Sequence, residues 1–351
     1  MKFLITGGLG FIGSAVVRKL IRETGHLVHV VDAMTYAATP ESLSVVSDDP
    51  RYNFTRADIC DADAMMDLFQ REQPDIVMHL AAESHVDRSI DGPTKFIETN
   101  VVGTLVLLQA VRKYFDSLSS VRQSEFRFHH ISTDEVFGSL SLDDPPFLET
   151  TAYAPRSPYS ASKASSDHLV NAWHETFELP IVMSNCSNNY GPWQHPEKLI
   201  PLMVSKALAG EAMPVYGTGE NVRDWLHVDD HASALITIAT TGVVGASYNV
   251  GGNAERTNLE VVKQICRIMD DFKPRPQAYE ELITYVTDRP GHDFRYAIDC
   301  SKLETELGWQ ANYSFENGLR ETVGWYLANR DWWTAKLEKT GGALRRGLAT
   351  K

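Results

Sequence analysis

The chain has 351 residues, of which 43% are hydrophobic and 23% charged, and its formal net charge is -13 at pH 7. Such values are typical of a globular protein with a large core, and the negative charge disfavours general nucleic-acid binding, which needs clustered Lys and Arg. The four cysteines have no C-x-x-C spacing, no apolar run is long enough to span a membrane, and the first residues leave no room for a signal peptide, so we expect a reduced cytoplasmic protein.

The first half of the chain alternates strand-like and helix-like patterns, which predicts a parallel sheet with helices on both faces. The predicted strands are Lys2–Thr6, Leu27–Asp32, Tyr52–Ile59, Asp75–Ala82, Arg127–Thr133 and Pro180–Ser187. The predicted helices are Phe11–Glu23, Ala62–Gln73, Thr94–Phe115 and Tyr159–Phe177. The fold class is therefore α/β, with a Rossmann-type doubly wound parallel sheet.

After Asn188 the pattern is less regular and predicts a smaller, mixed α/β lobe that carries substrate specificity. Its predicted helices are Lys198–Leu208, Val228–Ala239, Leu259–Asp271 and Phe315–Leu327, and its predicted strands are Met213–Tyr216, Ser247–Val250 and Thr284–Thr287. We expect a first domain over residues 1–187, to whose sheet later segments return, and a second lobe over residues 188–330. Residues 331–351 are expected to form a tail, frayed from Lys336 onward.

A glycine pattern, G-x-x-G-x-x-G at Gly7, Gly10 and Gly13, follows the first strand and opens the first helix. Glycines there permit a tight turn and let a pyrophosphate approach the N–H groups of a helix N-terminus. Asp32 ends the second strand, where a carboxylate accepts hydrogen bonds from an adenosine ribose and repels a 2′-phosphate. The pattern predicts a dinucleotide site that favours NAD over NADP.

The ends of the third and fourth strands face the same edge of the predicted sheet. Asp58 and Ile59 end the third strand, where an adenine edge can rest, and Leu80, Ala81 and Ala82 end the fourth. Small residues there let a cofactor lie across the strand ends, although alanines at the end of a core strand are common. His79, inside the apolar part of the fourth strand, is predicted to be a core histidine.

Tyr159 and Lys163 lie four apart on one predicted helix, in Y-S-A-S-K. An ammonium group and a positively charged nicotinamide ring both favour the phenolate form of a tyrosine, which can then act as a base. An isolated Y-x-x-x-K is more often a solvated helix pair, but here it follows a dinucleotide pattern. Asp134 and Glu135 stand side by side after Ser132 and Thr133 and add an acid and a base, unless they form a solvated turn or a helix cap.

Six motifs together resemble the extended short-chain dehydrogenase/reductase family, and within it the nucleotide-sugar 4,6-dehydratases. They are T-G-G-L-G-F-I-G, L-A-A-E-S-H-V-D-R-S, S-T-D-E-V-F-G, Y-S-A-S-K, N-N-Y-G-P and R-P-G-H-D, spread over roughly residues 1–330. The Asp134-Glu135 pair is the feature by which those dehydratases differ from sugar-nucleotide epimerases. The resemblance implies NAD as cofactor, dTDP-glucose as substrate and a homodimer that pairs through the helices Thr94–Phe115 and Tyr159–Phe177. No spacing of His, Cys or carboxylate residues indicates a metal site.

The resemblance also implies roles for the candidate catalytic residues. Tyr159, supported by Lys163, takes the proton of the hexose 4-hydroxyl, which Thr133 hydrogen-bonds, while a hydride leaves C4. Glu135 then removes the C5 proton and Asp134 protonates the departing 6-hydroxyl. For that Asp134 must be protonated near neutral pH, and burial and the neighbouring carboxylate both push its pKa upward.

The binding residues are carried over by motif as well. The cofactor residues implied are Gly7, Gly10, Phe11, Ile12, Gly13, Asp32, Ala33, Met34, Thr35, Asp58, Ile59, Leu80, Ala81, Ala82, Ser84, Thr99, Tyr159, Lys163 and Asn189. The substrate residues implied are Ser84, His85, Thr133, Asn188, Lys198, Leu199, Pro214, Val215, Tyr216, Arg223, Asn258, Arg289 and His292. Lys198 and Arg223 are suited to binding a diphosphate but could equally be ordinary surface charges. Tyr216 is either a ring that stacks on the base or a core aromatic.

Two alternative functions remain open at this point. One is another sugar-nucleotide enzyme of the same family, a 4-epimerase or a dehydratase of a UDP- or GDP-sugar; Asp134-Glu135 speaks against an epimerase, which needs no such pair. The other is a non-catalytic NAD-binding sensor, which could lose Tyr159 or Lys163 without penalty, although both are present.

Overall fold

The computed structural model describes residues 1–288 and 290–339. Its strands are β1 (Lys2–Thr6), β2 (Leu27–Asp32), β3 (Tyr52–Arg56), β4 (Ile76–His79), β5 (Arg127–Thr133), β6 (Ile181–Cys186), β7 (Asn188–Tyr190), β8 (Met213–Tyr216), β9 (Val222–His227), β10 (Ser247–Val250), β11 (Glu255–Thr257) and β12 (Ile283–Val286). Its helices are α1 (Phe11–Glu23), α2 (Ala62–Glu72), α3 (Val86–Asp91), α4 (Pro93–Phe96), α5 (Thr104–Asp116), α6 (Ser120–Glu125), α7 (Pro158–Phe177), α8 (Leu199–Ala209), α9 (Val228–Thr241), α10 (Asn258–Phe272), α11 (Ser301–Leu307), α12 (Phe315–Ala328) and α13 (Arg330–Lys339).

In the described part of the chain the main sheet has seven strands in the order β10-β6-β5-β4-β1-β2-β3, all parallel. Near-continuous apolar strands such as Phe3–Ile5 and Ile76–Met78 are buried on both faces, as a parallel sheet requires. α1 and α9 pack together on one face, and α2, α5 and α7 cover the other. This is the doubly wound Rossmann-type fold that the alternating pattern predicted.

A segment from the second half of the chain completes this sheet. β10 pairs with β6, and α9 packs beside α1 although more than 200 residues separate them in sequence. Leu235 and Ala232 of α9 lie in the same apolar cluster as Val16 and Leu20 of α1. The return of later segments to the first sheet, expected from the sequence, therefore has a physical basis in shared apolar burial.

The long helix predicted over Thr94–Phe115 is divided into three pieces. α4 runs into a π-helical segment, Ile97–Gly103, before α5 continues as a regular α-helix. A Cβ on Gly103 would lie 2.7 Å from Cδ1 of Ile59, so a larger residue there would have to displace the Ile59 side chain on the turn after β3. The apolar periodicity shows the helical pieces but gives no sign of the widened turn between them.

Other predicted boundaries shift by a few residues. β3 ends at Arg56 rather than Ile59, and β4 and β6 are shorter than the apolar runs that predicted them. The short strands β7, β9 and β11 form a three-stranded sheet that was not predicted at all. Polar residues such as Asn188 and Asp224 occupy two of these strands and mask the pattern of a buried strand.

The C-terminal lobe is built around α8, α10 and α12, with a parallel pair of strands, β8 and β12, beside them. Its core contains Met203, Ile265, Leu319 and Tyr326. α10 begins with a capping box in which Thr257 and Glu260 exchange hydrogen bonds, which fixes the helix start beside the cleft described below. The smaller, mixed lobe expected from the sequence is present in the structure.

The expected tail differs from the structure in its first residues. α13 continues from α12, Trp333 is buried, and its indole Nε1 donates a hydrogen bond to the carbonyl oxygen of Tyr326 at 2.9 Å. Lys336, expected to begin a frayed stretch, lies on this helix. Trp332 and Trp333 bury enough apolar surface to dock the helix, although the residues around them are polar. Residues 340–351 of the expected tail lie outside the described residues.

Candidate active site

A cleft of about 500 Å³ lies at the carboxyl edge of the main sheet, where residues of the C-terminal lobe face it. The carboxyl ends of parallel strands meet at one edge, so residues that follow β1, β2, β4, β5 and β6 converge there. With two exceptions, every residue predicted for the cofactor, the substrate or catalysis lines this cleft. The exceptions are Met34, which is not among the lining residues, and Arg289, which lies outside the described residues.

The glycine loop between β1 and α1 leaves no room for side chains. Gly7 has a φ of +70°, and a Cβ there would lie 2.7 Å from the backbone nitrogen of Ala81. A Cβ on Gly13 would overlap the carbonyl oxygen of Gly7. Gly10 precedes α1, and no described side chain caps the helix. The loop therefore brings uncapped N–H groups of a helix N-terminus to the cleft, an arrangement suited to a pyrophosphate.

Asp32 is held at the end of β2 by two backbone amides. The N–H of Met34 donates to Oδ1 at 2.8 Å and the N–H of Leu9 donates to Oδ2 at 3.1 Å. Burial raises the pKa of the Asp32 carboxyl, and these two hydrogen bonds oppose the rise. Met34 thus contributes through its backbone, in a left-handed conformation with φ 58°, and its side chain is 39% exposed.

The remaining predicted cofactor residues lie along the same edge. Asp58 and Ile59 belong to the turn after β3, where the Asp58 carboxylate accepts a hydrogen bond from the N–H of Cys60 at 2.9 Å. Thr99 belongs to the π-helical segment, which brings it to the cleft. His79, one residue before the cleft, is a core histidine whose ring nitrogens lie 2.8 Å from Thr6 Oγ1 and 3.0 Å from Thr104 Oγ1.

Asp134 and Glu135 open a 3₁₀ turn directly after β5. Thr133 caps this turn by accepting a hydrogen bond from the N–H of Glu135 at 3.3 Å. Asp134 is only 1% exposed, and its Oδ2 has no hydrogen-bond partner among the described residues. Burial raises the pKa of Asp134 well above its ordinary value, the carboxylates of Glu135 and Asp224 raise it further, and the Arg223 guanidinium opposes the shift. The direction of this shift favours the protonated carboxyl, the form in which Asp134 could serve as an acid.

Tyr159 and Lys163 lie on the first two turns of α7, which starts with Pro158 and a capping box between Ser157 and Ser160. Nζ of Lys163 donates a hydrogen bond to the carbonyl oxygen of Ile131 at 2.9 Å, and both side chains are buried. Burial raises the pKa of the Tyr159 phenol well above its ordinary value, as does the Glu135 carboxylate, while a hydrogen bond with Thr133 opposes the rise. Proton abstraction by Tyr159 therefore needs additional positive charge in the cleft.

The lobe side of the cleft carries the predicted substrate residues. Nζ of Lys198 donates to the carbonyl oxygen of Ser84 at 3.2 Å, which links the start of α8 to the loop after β4. The Tyr216 ring lies at the end of β8, edge-on to the His292 ring with centroids 6.2 Å apart. Nδ1 of His292 lies 2.6 Å from Oδ1 of Asp288. Tyr216 is only half-buried and lines the cleft, which favours the stacking interpretation over the core one.

Arg223 lies on β9 and is 4% exposed, so it is not a surface cation. Its guanidinium donates to the carbonyl oxygens of Val222 at 2.6 Å, Asp293 at 2.9 Å and Phe294 at 3.3 Å. It also lies over the ring of Tyr296, 4.3 Å from the centroid. A cation held in this position can bind an anionic group of the substrate, and its charge opposes the rise in the pKa of Asp134.

The sequence reasoning missed several residues in and beside the cleft, among them Tyr296, Glu197 and Asp224. Tyr296 lines the cleft beneath Arg223, and its hydroxyl donates to Oδ2 of Asp293 at 2.5 Å. Glu197 also lines the cleft, and both its carboxylate oxygens lie 3.0 Å from one guanidinium nitrogen of Arg88, which joins the two sides of the cleft. Asp224, buried beside Asp134, accepts hydrogen bonds from backbone amides. The sequence offered a signal for two of them, because Glu197 is adjacent to the predicted Lys198 and Asp224 is adjacent to the predicted Arg223.

Within residues 1–288 and 290–339, no group of three or more His, Cys, Asp or Glu residues could hold a metal ion. In that same part of the chain, no helix is both long and apolar enough to cross a membrane.

The chain is similar in sequence and fold to known nucleotide-sugar dehydratases and epimerases. Residues 4–322 match the family model described as GDP-mannose 4,6 dehydratase. The dTDP-glucose 4,6-dehydratase of Shigella flexneri is 59% identical over 340 residues, which cover 95% of this chain and 94% of that protein. The solved structure of the dTDP-glucose 4,6-dehydratase of Streptomyces venezuelae with NAD bound has a TM-score of 0.87 at 42% identity and covers 96% and 100% of the two chains. The UDP-glucose 4-epimerase of Thermotoga maritima has a TM-score of 0.82 at 30% identity and covers 94% and 100%.

Proposed function

Since the chain belongs to the extended short-chain dehydrogenase/reductase family, in the group that the GDP-mannose 4,6 dehydratase model describes, we propose that it is a dTDP-glucose 4,6-dehydratase. It is an NAD-dependent hydro-lyase that converts dTDP-glucose to dTDP-4-keto-6-deoxyglucose and water. The observation that carries this function is the buried Asp134 beside Glu135, at the strand end that also faces Tyr159. An enzyme that only moves a hydride at C4 has no use for such a pair.

The residues of the sheet edge fit NAD. The glycine loop, in which a Cβ on Gly13 would clash, suits the pyrophosphate, and Asp32, fixed by two amides, suits the adenosine ribose. Asp58 and Ile59 lie where an adenine would rest, and Thr99 and Asn189 face the cleft near the catalytic residues. When bound, NAD would accept the hydride from C4 and return it to C6 while C5 regains a proton, so NAD is not consumed.

Oxidation at C4 is assigned to Tyr159, Lys163 and Thr133. Tyr159 takes the proton of the 4-hydroxyl, and Thr133, which is hydrogen-bonded with Tyr159, orients that oxygen. Because burial raises the pKa of Tyr159, the phenolate depends on positive charge nearby, and Lys163 is the buried cation on the same helix face.

Elimination of water is assigned to the carboxyl pair. The 4-ketone acidifies the C5 hydrogen, Glu135 removes it as a proton, and the C5–C6 double bond forms as the C6–O bond breaks. Hydroxide is a poor leaving group, so Asp134 donates its proton to the departing 6-hydroxyl, which leaves as water. The raised pKa of Asp134 favours the protonated form that this step requires.

The nucleotide diphosphate is assigned to the lobe side of the cleft. Lys198 and Arg223 are the cations that face it, Tyr216 offers a ring for the base, and Asn188 and Asn258 offer amide groups. Ser84, His85, Leu199, Pro214, Val215 and His292 complete this surface. Arg289 keeps its predicted role in substrate binding from its place in the R-P-G-H-D motif alone.

The enzyme is further proposed to be a cytoplasmic homodimer. All four cysteines are free and three of them are buried, which suits a reducing compartment. Ile97 and Val102, beside α5, are 46% and 45% exposed, and such apolar side chains favour pairing between copies through this face. Light scattering that gives the mass of a single chain would contradict the dimer.

The test is incubation of the purified protein with dTDP-glucose, UDP-glucose and GDP-mannose, followed by mass spectrometry. We expect loss of one water from dTDP-glucose without added NAD, because bound cofactor is regenerated in each turnover. A sugar changed in configuration at unaltered mass would indicate a 4-epimerase, and loss of water from UDP-glucose or GDP-mannose alone would reassign the substrate. Binding without any chemical change would leave only an NAD-binding sensor.

A further inference from the structure

A buried carboxylate without a role in the steps above, Asp167, lies one helical turn beyond Lys163 on α7. Its Oδ1 accepts a hydrogen bond from Nε2 of His130 at 2.9 Å. Its Oδ2 accepts hydrogen bonds from the hydroxyls of Ser132 at 2.7 Å and Tyr153 at 3.1 Å. A carboxylate surrounded by donors accepts all of them only when it is ionised, so Asp167 is a buried anion.

The ionisation of its neighbours agrees with this assignment. Burial would raise the pKa of Asp167, but the hydrogen bond from His130, the charge of His130 whenever its ring is protonated, the charge of Lys163 and the hydrogen bond from Ser132 outweigh it, and the pKa lies below its ordinary value. Burial lowers the pKa of His130 to about 4, so its ring is neutral at neutral pH and serves as a donor through Nε2. His130 therefore does not neutralise the charge of Asp167.

The charge that Asp167 can balance is that of Lys163. Nζ of Lys163 contacts the carbonyl oxygen of Ile131, and within the described residues this lysine forms no direct ion pair with a carboxylate. Burial lowers the pKa of Lys163, and the charge of Asp167 acts against that shift, as would a thiolate at Cys186, whose own pKa burial raises. Without Asp167 the buried ammonium would lose its proton more readily, and Tyr159 would lose its cation.

The same carboxylate also joins the two elements that carry the catalytic groups. Ser132 immediately precedes Thr133, Asp134 and Glu135 on β5, whereas Asp167 lies on the helix that carries Tyr159. The 2.7 Å hydrogen bond between Ser132 and Asp167 therefore fixes the end of β5 against α7.

Building on the proposed function, we propose that Asp167 is a positioning residue for the oxidation step. Its carboxylate supplies the counter-charge that keeps Lys163 cationic, and it holds the catalytic end of β5 against the helix of Tyr159. Asp167 itself touches neither substrate nor cofactor.

The test is Asp167→Asn, which keeps the shape of the side chain and removes its charge. The rate of oxidation at C4 is measured by rapid mixing, from the rise of reduced-nicotinamide absorbance, as a function of pH. We expect the rate at neutral pH to fall roughly tenfold to a hundredfold. The pH above which the rate declines should move down by about one unit or more, because Lys163 must hold its proton and now loses it earlier.

Tyr153→Phe is the matched control. It removes one hydrogen bond to the same carboxylate but keeps the carboxylate charge, so its decline with pH should stay where the wild-type enzyme has it. A purely structural role for Asp167 would lower the rate at every pH and leave the decline unmoved in both variants. That result would overturn the proposal.

A measurement without activity covers the case in which Asp167→Asn is unstable. Urea unfolding, with NAD present at one saturating concentration, is compared for Asp167→Asn, Lys163→Met and the double variant. If the two charges balance each other, the double variant should be more stable than Asp167→Asn alone, because no lone buried charge remains. Independent losses that simply add would contradict the counter-charge role.

The double variant also separates this proposal from the function on which it rests. Asp167→Asn should add little to the loss of oxidation rate caused by Lys163→Met, whereas a further large loss would show that Asp167 acts otherwise than through Lys163. A wild-type protein that does not dehydrate a nucleotide hexose would overturn the function and this role together. An active wild-type enzyme with an unchanged pH profile in Asp167→Asn would overturn the role alone.

Discussion

The two sides of the cleft hold their charged groups in different ways. On the sheet side, Asp134, Tyr159 and Lys163 are at most 8% exposed and lie at the end of β5 or on α7. On the lobe side, Lys198 is half-buried at the start of α8, whereas Arg223 is buried on β9 with its guanidinium held by backbone carbonyl oxygens. Burial shifts the pKa values of the sheet-side groups and so prepares them for proton transfer, whereas a lysine that reaches the cleft from a helix start and an arginine held by carbonyl oxygens are suited to binding a diphosphate. The comparison predicts that sheet-side variants change kcat and lobe-side variants change KM.

The largest effect is expected for Tyr159→Phe. Loss of the phenol should lower kcat by about 10²–10⁴-fold, the usual contribution of a positioned proton-transfer group, with little change in KM. Tyr153→Phe removes a hydroxyl from a neighbouring tyrosine that accepts no proton from substrate, so steady-state assays should show a far smaller loss. A kcat near that of the wild type for Tyr159→Phe would mean that another group is the base.

Asp134→Asn and Glu135→Gln should slow different steps of the elimination, and each should lower turnover by roughly 10²-fold or more. Asp134→Asn should allow oxidation but slow water loss, so bound reduced nicotinamide and the 4-keto-hexose accumulate. Glu135→Gln should also allow oxidation but suppress exchange of the C5 hydrogen with deuterated water. Both assignments are checked by following the absorbance of reduced nicotinamide together with deuterium incorporation at C5. They fail if Glu135→Gln exchanges the C5 hydrogen at the wild-type rate, or if Asp134→Asn alone abolishes that exchange.

The pH dependence of the same step sharpens the assignment of Asp134. The acid must hold its proton, and its pKa is raised by burial and by the neighbouring carboxylates of Glu135 and Asp224. The rate of water loss should therefore persist through neutral pH and fall about tenfold per unit once the pH exceeds that raised pKa. Asp134→Asn should lack this decline, and its persistence in the variant would assign the titration to a different group.

The sequence predicted the two sides unequally well. On the sheet side the glycine loop, Asp32 and the Tyr159–Lys163 pair fall at fixed positions relative to strands and helices, so their convergence follows from the parallel sheet. On the lobe side the candidates came from family resemblance, because β9, which carries Arg223, does not read as a strand. The π-helical segment that brings Thr99 to the cleft and the carboxylate of Glu197 depend on tertiary packing, which periodicity does not record.

On the lobe side, Lys198→Ala should raise KM for the nucleotide sugar about tenfold and leave kcat nearly unchanged, because a diphosphate is bound alike in ground and transition states. Lys198 is a cleaner probe than Arg223. Removing Arg223 would also deprive the carbonyl oxygens of Val222, Asp293 and Phe294 of their donor. Lys273→Ala, at an exposed lysine outside the cleft lining, is the control for loss of charge alone. A drop in kcat with KM unchanged would remove the distinction between the two sides.

The smallest effect is expected where the C-terminal helix meets the sheet side. Nζ of Lys336 on α13 donates a hydrogen bond to the carbonyl oxygen of Ala38, in the loop after β2 whose residues Thr35 and Ala38 line the cleft. Lys336→Met should let this loop move more freely and so speed the release of bound NAD a few-fold, in line with the roughly 1 kcal/mol of one hydrogen bond. Release is measured by the loss of bound nucleotide on dilution, with Lys273→Met as the control. We assign α13 no contact with the reacting sugar, so kcat should stay at the wild-type value. A fall in kcat with unaltered NAD release would instead place α13 in catalysis rather than in cofactor retention.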